Sequence, residues 1–396
     1  MVTTTSDPSD LRYKTGSGYD GVVRVNLNSI YATGVLLYDG RAILTAAHLF
    51  HDLNHLPEIR FETSDGIQLL NTTKFLLHPD SNNDQANHDL ALVWLTDSAP
   101  NSAERYALYR DTDEIGQPIT LVGYGNTGTG ATGAITHSQL RLKVTNQFDT
   151  EGSILKEVLG NKIAWTPQPE TQLIADFDDG RSEHDAIGLL LNIKDSGTGL
   201  TEGIIAPGDS GGPAFIGQQL AGIASYVSSL EYQGIHPDID SITNSSFGEI
   251  AAWQRISYYQ QWIDQSLRAQ YPDAPTRPEQ VETTVTEGSL TSPYVYFLLQ
   301  FHGIRTDPDQ ILSVDYTTQN GSALAGQDYL KAEGRLNLYP GENQAVIAVE
   351  IIDDSIAETD EYFYLSVFNP VGGSFPNDVI ELTAMRTIID NDGVIF

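Results

Sequence analysis

The sequence predicts an all-β protein of two domains, with a helix closing the first domain. Three observations support this fold class. Short apolar or alternating runs recur along the chain, and Gly, Asn and Asp turns separate them. Residues 250–270 instead carry apolar side chains at helical spacing. Three prolines within residues 272–278 follow, and a second series of short runs begins after them.

The first domain is expected to span residues 19–270, after a flexible polar leader at residues 1–18. Its predicted strands include residues 22–25, 34–38, 42–44, 119–122, 140–144 and 221–224. Residues 123–133 are rich in Gly and Thr and predict a flexible surface loop. The helix is predicted from a stripe with spacings of three and four, made of Trp253, Ile256, Tyr259, Ile263 and Leu267.

Residues 271–279 predict a stiff, proline-rich linker, and residues 280–396 predict a second domain made of strands. The expected strands of this domain are residues 294–300, 312–317, 345–352, 362–367 and 382–389. At 396 residues the chain is longer than one typical core, which agrees with two domains.

Composition excludes several classes of function. The formal net charge of -32 would repel phosphates, so we expect no nucleic-acid partner. The absence of cysteine excludes disulfides, thiolate catalysis and zinc–thiolate sites. No apolar run is long enough for a membrane span, and no signal peptide is visible at the start. From residue 279 onward 19 acidic residues stand against 4 basic ones, a balance that suits solubility or calcium.

Three segments carry the groups that acyl transfer needs. Residues 208–213 read GDSGGP, residues 44–48 read LTAAH and residues 88–93 read HDLALV. In chain order they supply an imidazole base, a carboxylate that orients it and a hydroxyl nucleophile: His48, Asp89 and Ser210.

Residues 208–212 also match G-x-S-x-G, the nucleophile turn of α/β-hydrolases. That interpretation requires an acid and then a histidine after the serine. Only His236 and His302 follow Ser210, and His302 lies beyond the linker. Chain order and the all-β pattern therefore exclude it.

The three segments together resemble the signature segments of trypsin-like serine proteases, over roughly residues 19–268, in wording similar to bacterial members. The resemblance implies a two-barrel chymotrypsin-like domain with a C-terminal helix. It also implies an oxyanion hole from the backbone N–H groups of Gly208 and Ser210. Ser225 is expected to support Asp89 and to bind substrate backbone.

The chain departs from the family at two places. The resemblance places the specificity pocket at Ile204, Val227 and, in a less secure register, Ala251, which predicts cleavage after small or aliphatic residues. Family members pair the equivalent of Asp209 with a new N-terminal amine, yet no Arg-Ile-Val-Gly-Gly sequence precedes residue 22. Cleavage within residues 14–20 or another internal group could serve instead, and we expect activity without zymogen cleavage.

Residues 280–393 resemble the Calx-beta domain, an immunoglobulin-like β-sandwich. The resemblance rests on runs such as residues 314–318, 326–329, 351–354, 358–363 and 388–392. The candidate calcium ligands it implies are Glu287, Asp328, Asp353, Asp354, Glu358, Asp390 and Asp392. Two interpretations stay open: these acids bind calcium, or they solvate turns. In the first domain the DFDDG run at residues 176–180 is a weaker candidate for cation binding. Its acids could instead solvate a turn.

We therefore expect a serine endopeptidase that acts on protein or peptide substrates, needs no cofactor for catalysis and carries a calcium-binding module. The resemblance implies a secreted or cell-surface location. Two alternatives remain: an inactive protease-like scaffold, and a calcium-dependent adhesion or binding protein.

Overall fold

A computed structural model describes residues 1–3, 10–16, 18–28, 30–51, 55–82, 84, 86–137, 140–194, 197–288 and 293–392. The chain divides into two compact units, Met1–Trp262 and Ile263–Phe396. Strands dominate both units, so the predicted all-β class is confirmed. None of the helices in the described ranges is long and apolar enough to cross a membrane.

The first unit is built on two curled sheets that form a chymotrypsin-like double barrel. The strands of the first sheet are β2 (Val22–Leu27), β3 (Ile30–Leu36), β4 (Ala42–Thr45), β5 (Glu58–Thr63), β6 (Gly66–Leu70), β7 (Thr72–Leu77) and β8 (Ala91–Leu95), in the order β6-β5-β2-β3-β4-β8-β7. The strands of the second sheet are β9 (Pro118–Gly123), β12 (Leu142–Gln147), β13 (Thr150–Glu151), β14 (Gln172–Asp176), β16 (Pro213–Ile216), β17 (Gln219–Ser228) and β18 (Ile250–Arg255), in the order β12-β9-β16-β17-β18-β14-β13.

Alternation explains why these runs form strands around a core. In β2, Val23, Val25 and Leu27 are buried, while Arg24 and Asn26 between them are half-exposed. Every residue of β8 is buried, as expected for a strand between two neighbours inside a barrel. The two barrels thus have separate apolar cores, one around Val23 and Val25 and the other around Leu121 and Trp253.

The start of the chain is not a flexible leader, which corrects the expectation for residues 1–18. Strand β1 (Val2–Thr3) lies between β10 (Thr127–Thr129) and β15 (Gly203–Ile204), and β10 pairs with β11 (Gly133–Thr136). Met1, Val2 and Tyr13 are buried, because their apolar side chains fill the second barrel core. Residues 4–9 and 17 of the expected leader lie outside the described residues. Strands β10 and β11 also occupy residues 127–129 and 133 of the expected flexible loop.

The helical content differs from the prediction in two ways. Helix α3 (Ile256–Arg268) begins later than expected, because residues 250–255 pair with β17 and β14 as strand β18. Helices α1 (Gly152–Leu159) and α2 (Ala186–Leu191) were not predicted. Short 3₁₀ turns occur at Leu11–Tyr13, Ala47–Leu49, Gly160–Lys162, Gly199–Thr201, Pro278–Gln280 and Pro376–Asp378.

The second unit is a β-sandwich. One sheet contains β19 (Thr284–Thr286), β21 (Leu312–Asn320), β22 (Glu333–Leu338), β24 (Glu361–Val371) and β25 (Glu381–Ile389), in the order β19-β25-β24-β21-β22. The other pairs β20 (Tyr294–Gln300) with β23 (Gln344–Glu350). Phe297, Ile347, Leu336 and Phe363 contribute from both sheets to one core. Within the expected linker, Pro272 accepts a hydrogen bond from the Tyr296 hydroxyl at 2.6 Å.

Candidate functional site

His48 and Asp89 are held together by two hydrogen bonds. His48 lies in the 3₁₀ turn that follows β4, and Asp89 lies just before β8, which pairs with β4. The His48 backbone N–H donates to Asp89 Oδ1 at 2.7 Å, and Nδ1 lies 2.8 Å from Oδ2. A carboxylate can only accept, so the Nδ1 atom carries the proton and Nε2 faces away with its lone pair.

A third donor completes the environment of Asp89. The Ser225 hydroxyl, on β17, donates to Asp89 Oδ2 at 2.5 Å. Burial by itself would raise the pKa of Asp89, which is only 5% exposed. The hydrogen bonds and charge of His48, together with the Ser225 bond, outweigh burial and hold the pKa below its ordinary value of 3.8. Asp89 is therefore an anion at neutral pH.

Ser210 lies in a tight turn against the end of β4. Its carbonyl accepts a hydrogen bond from the Thr33 N–H at 3.0 Å, and the next residue, Gly211, donates to Ala224 at 2.8 Å. Gly211 has φ +79°, and a Cβ there would collide with Thr45 Oγ1 and lie 2.8 Å from the Ala46 nitrogen. Because Thr45 and Ala46 directly precede the His48 turn, the serine and histidine segments meet.

The same turn leaves two backbone donors available. Gly208 has φ +97°, which favours glycine, and its carbonyl accepts from the Thr33 hydroxyl at 2.9 Å. The N–H groups of Gly208 and Ser210 donate to no residue in the described part of the chain. Two such donors on one side of a turn are the usual components of an anion-binding hole.

Asp209 points away from that hole and into the protein. It accepts hydrogen bonds from the N–H groups of Gly125 at 2.7 Å and Ala206 at 2.9 Å. The α-amine of Met1 lies 2.7 Å from Asp209 Oδ2, with exposures of 1% and 0% for the two side chains. The resemblance predicted an N-terminal amine as the partner of Asp209, but the expected source was cleavage within residues 14–20 or another internal group, and the amine of Met1 was not predicted.

The three residues expected at the specificity pocket lie in apolar surroundings. Val227 and Ala251 are paired across β17 and β18, and Ala251 is fully buried. Ile204 pairs with Val2 in the small sheet and is also fully buried. All three belong to, or pack against, the apolar cluster of the second barrel. No charged side chain is found among them.

His88, next to Asp89, is a buried residue of a turn and not of a strand. Its φ of +54° turns the imidazole inward, where it stacks on His78 with ring centroids 4.8 Å apart. Its Nε2 atom lies 2.7 Å from Gln168 Oε1, and Nδ1 lies 3.2 Å from the Tyr259 hydroxyl. These partners anchor the backbone immediately before Asp89 to helix α3, a role that sequence reasoning did not identify.

The second unit brings acidic residues together at one end of the sandwich. Carboxylate oxygens of Glu287, Asp390 and Asp392 lie within 4.8 Å of one another, and so do those of a second group formed by Asp328, Glu358 and Glu361. Glu361 was not among the expected ligands. A cavity of about 10 Å³ lies between the groups, with Glu287, Asp328 and Asp390 in its wall.

The remaining expected ligands, Asp353 and Asp354, lie close enough to Glu287 for their charges to raise its pKa. Burial and then the charges of Asp354, Asp390, Asp392 and Asp353 raise the pKa of Glu287 to about 7. Burial, a hydrogen bond that the protonated Glu361 donates to Asp328, and the charges of Asp328 and Glu358 raise the pKa of Glu361 to about 7. Such crowding of like charges is the condition that a divalent cation relieves.

The acidic run in the first unit is not a solvated turn. Asp176, Asp178 and Asp185 are all buried, with carboxylate oxygens within 4.8 Å of one another. Asp176 accepts from the Ile187 N–H at 2.7 Å and Asp185 accepts from the Gly188 N–H at 2.5 Å. At least two of the three acids therefore hold the start of helix α2 in place.

Comparisons with known proteins agree with this geometry. A family model described as Trypsin matches residues 12–165, and a family model described as Calx-beta domain matches residues 300–392. The first match includes His48 and Asp89 and ends before Ser210. The two matched segments lie one in each of the two compact units.

The chain is also similar to curated proteins over shorter segments. Sodium/calcium exchanger 2 of Rattus norvegicus is 42% identical over 92 residues, which is 20% of this chain and 10% of that protein. Sodium/calcium exchanger Calx of Drosophila melanogaster is 38% identical over 88 residues, 22% of this chain and 9% of that protein. Sodium/calcium exchanger 3 of Homo sapiens is 48% identical over 63 residues, 16% of this chain and 7% of that protein.

The chain thus spans a tenth or less of the length of these relatives. The two family matches include the His48 and Asp89 segments and most of the second domain, whereas residues 208–213 lie outside both matches. The chain therefore contains a segment of the trypsin family and, C-terminal to it, a Calx-beta domain.

Proposed function

We propose that this chain is a serine endopeptidase that hydrolyses peptide bonds through His48, Asp89 and Ser210. The observation that carries the proposal is the pairing of His48 with a buried, ionised Asp89 that also accepts from Ser225. This pairing holds a proton on Nδ1 and orients the ring, so that the neutral imidazole presents the Nε2 lone pair, as a general base requires.

Each step of the proposed reaction uses a group described above. The Ser210 hydroxyl attacks the substrate carbonyl as its proton passes to His48 Nε2, and Asp89 stabilises the resulting imidazolium. The N–H groups of Gly208 and Ser210 donate to the developing oxyanion, and one such donor is worth roughly 100- to 1000-fold in turnover. His48 then protonates the leaving amine, and water releases the acyl group by the same route.

The apolar residues Ile204, Val227 and Ala251 support a preference for small or aliphatic side chains before the scissile bond. A branched Val227 leaves less room than glycine would, and no carboxylate stands among the three residues to attract a basic side chain. Cleavage of a peptide library measures this preference. Dominant cleavage after Arg or Lys would contradict it.

A fluorophosphonate probe tests the catalytic proposal, because it reacts only with an activated serine. The wild-type chain and a Ser64→Ala control, whose serine lies in an exposed turn, should both be labelled. Ser210→Ala should not be labelled, and His48→Ala should react far more slowly. A folded wild-type chain that neither reacts nor hydrolyses peptides would instead be an inactive protease-like scaffold or a binding protein.

We also propose that the Calx-beta domain binds calcium. The support is the two groups of carboxylates, with Glu287 and Glu361 held at raised pKa values by burial and by like charges. Calcium favours six to eight oxygen ligands and neutralises such groups. Several of the relatives are themselves named sodium/calcium exchangers.

Titration calorimetry with calcium, and with magnesium for comparison, tests this second proposal. Glu287→Gln should weaken calcium binding at least tenfold, because it removes the charge of the buried carboxylate from its group. Glu279→Gln removes an exposed carboxylate outside both groups and should bind normally. The absence of calcium heat, with a melting temperature equal in calcium and in chelator, would refute calcium binding.

A further inference from the structure

One edge of the Calx-beta sandwich is open. Strand β25 pairs along its length with β24, but β19 covers only Thr387–Ile389 on the other side. The far edge of residues 381–385 pairs with no strand in the described ranges of the chain. All five of these residues are exposed. An open edge presents unpaired N–H and C=O groups to any extended segment that approaches.

The middle of this edge lacks the usual protection against strand addition. Proteins commonly guard edges with charged side chains, proline or a bulge. Glu381 and the buried Arg386, which donates to the Met385 carbonyl at 2.8 Å, stand at its two ends, whereas the four residues between them, LTAM, are uncharged. Leu382 is 37% exposed and Met385 is 49% exposed. The pairing of β25 with β24 continues without a register shift along this stretch, so the edge is regular.

An apolar cleft adjoins the start of the same strand. Its volume is about 160 Å³, and it lies at the end of the sandwich opposite the carboxylate groups. Apolar residues dominate its wall, among them Leu299, Phe301, Leu312, Leu338, Phe375 and Leu382. An apolar cavity of about 150 Å³ is large enough for benzene. The cleft therefore has room for one aliphatic or phenyl side chain.

The surroundings of the cleft are acidic. Asp378 and Glu381 flank the approach to β25, and Asp307 and Asp309 are exposed on the segment between Phe301 and Leu312, both of which line the cleft. The nearby Arg305 donates to the backbone carbonyls of Gln310, Leu338, Tyr339 and Glu342. These bonds occupy its donors within the unit, and the four exposed or flanking carboxylates outnumber its single positive charge.

Charge complementarity therefore favours a cationic partner over a second copy of this acidic domain. From residue 279 onward 19 acidic residues face 4 basic ones, so a second copy of this domain would bring the same negative charge. A cationic segment would instead be attracted to the edge and held there. Main-chain pairing supplies affinity in this mode of recognition, and a side-chain pocket supplies specificity.

We propose that residues 381–385 and the adjoining cleft form a docking site for an extended, lysine- or arginine-bearing segment of another protein. The segment adds a strand to the edge of β25 and inserts one aliphatic or phenyl side chain beside Leu382. The site is separate from the proposed catalytic groups and from the proposed calcium ligands.

Synthetic peptides and the full chain carrying Ser210→Ala, which prevents cleavage of the probe, test the proposal. The probes are fluorescent six-residue peptides of the pattern Xaa-Lys-Val-Thr-Val-Lys, where Xaa is Leu, Phe or Val, together with the reversed pattern. Fluorescence anisotropy should detect binding by at least one of them. Its affinity should fall tenfold or more when Xaa is Gly, when both lysines are replaced by Glu, or when the valine amides are N-methylated.

Two variants of the chain locate the site. Leu382→Asp should weaken binding of the best peptide tenfold or more, whereas Ile67→Asp, at an exposed apolar residue of the edge strand β6, should leave it unchanged. Circular dichroism establishes that both variants fold. The peptide series carries the test alone if Leu382→Asp fails to fold.

Three results would overturn the proposal. One is the absence of binding by every peptide up to about 1 mM, the weak end of specific recognition. Another is equal binding of the N-methylated or glutamate peptides, which would exclude strand pairing or charge selection. The third is a dimer in sedimentation that Leu382→Asp dissociates, which would make a second copy of this chain the occupant.

Discussion

The buried pair formed by the Met1 α-amine and Asp209 leads to a quantitative prediction for the oxyanion hole. Asp209 lies between Gly208 and Ser210, whose N–H groups are proposed to bind the oxyanion. Its carboxylate is held on the inner side by Gly125, Ala206 and the amine. Acetylation of the Met1 amine, or Asp209→Asn, removes one charge and leaves the other buried.

The size of the effect follows from the burial of the pair. Both groups are 1% exposed or less, and the nitrogen lies 2.7 Å from Oδ2. Leaving one member of a buried ion pair unpartnered costs about 3–5 kcal/mol. At 1.4 kcal/mol per factor of ten, the ordered turn loses roughly 100- to 1000-fold or more in population. We expect kcat/KM to fall by a similar factor.

A double-mutant cycle distinguishes the loss of this ion pair from a general destabilisation of the fold. The four forms are the 396-residue chain, its N-acetylated form, Asp209→Asn and the combination, each assayed with a peptide ester and for thermal stability. If the two charges act on each other, acetylation of Asp209→Asn should cost much less than acetylation of the wild-type chain. Full activity of the acetylated wild-type chain would refute the reasoning.

Three further predictions concern the remaining sites. Asp89→Asn should lower kcat by roughly 10³- to 10⁴-fold with little change in KM, because it favours the wrong tautomer of His48. Without calcium, the melting temperature of the second unit should fall as pH rises between about 4.5 and 7, since Glu287 and Glu361 bind more protons when folded than when unfolded there. Calcium should reduce that slope. Val227→Gly should raise kcat/KM for aromatic residues before the scissile bond relative to Ala or Val, in a peptide library.

Each of these predictions has a result that would contradict it. An Asp89→Asn enzyme with nearly normal kcat would mean that His48 is oriented by other groups. If the melting temperature of the second unit rises from about pH 4.5 to 7, ionisation of Glu287 and Glu361 stabilises the folded unit, which contradicts the prediction. An unchanged preference in Val227→Gly would place the specificity pocket elsewhere.

Local patterns in the sequence were sufficient to predict many of the strands and the candidate catalytic residues. Runs such as residues 294–300 and 119–122 form strands where short apolar runs between turns predicted them. The stretch at residues 250–255 was assigned to a helix because Trp253 fits the helical stripe, yet pairing with β14 and β17 makes it a strand. Pairing with partners distant in sequence overrode local spacing there.

The carboxylates of the second domain show the same limit. Their residue types suggested calcium, and seven were identified from the resemblance. Only the fold shows that Glu361 joins Asp328 and Glu358 while Glu287 joins Asp390 and Asp392. The pKa shifts of Glu287 and Glu361 arise from burial and from neighbours far along the chain, so no local pattern indicates them.

The sequence by itself determined the all-β class, the division into two β-rich parts and the order His48, Asp89 and Ser210, because these depend on residue type and spacing. Only the tertiary structure decided what surrounds those residues. It brings the Met1 amine to Asp209, places His88 behind Asp89 and leaves the edge of β25 open. These features join residues that are distant along the chain, and such contacts exist only once the strands have paired and the cores have closed.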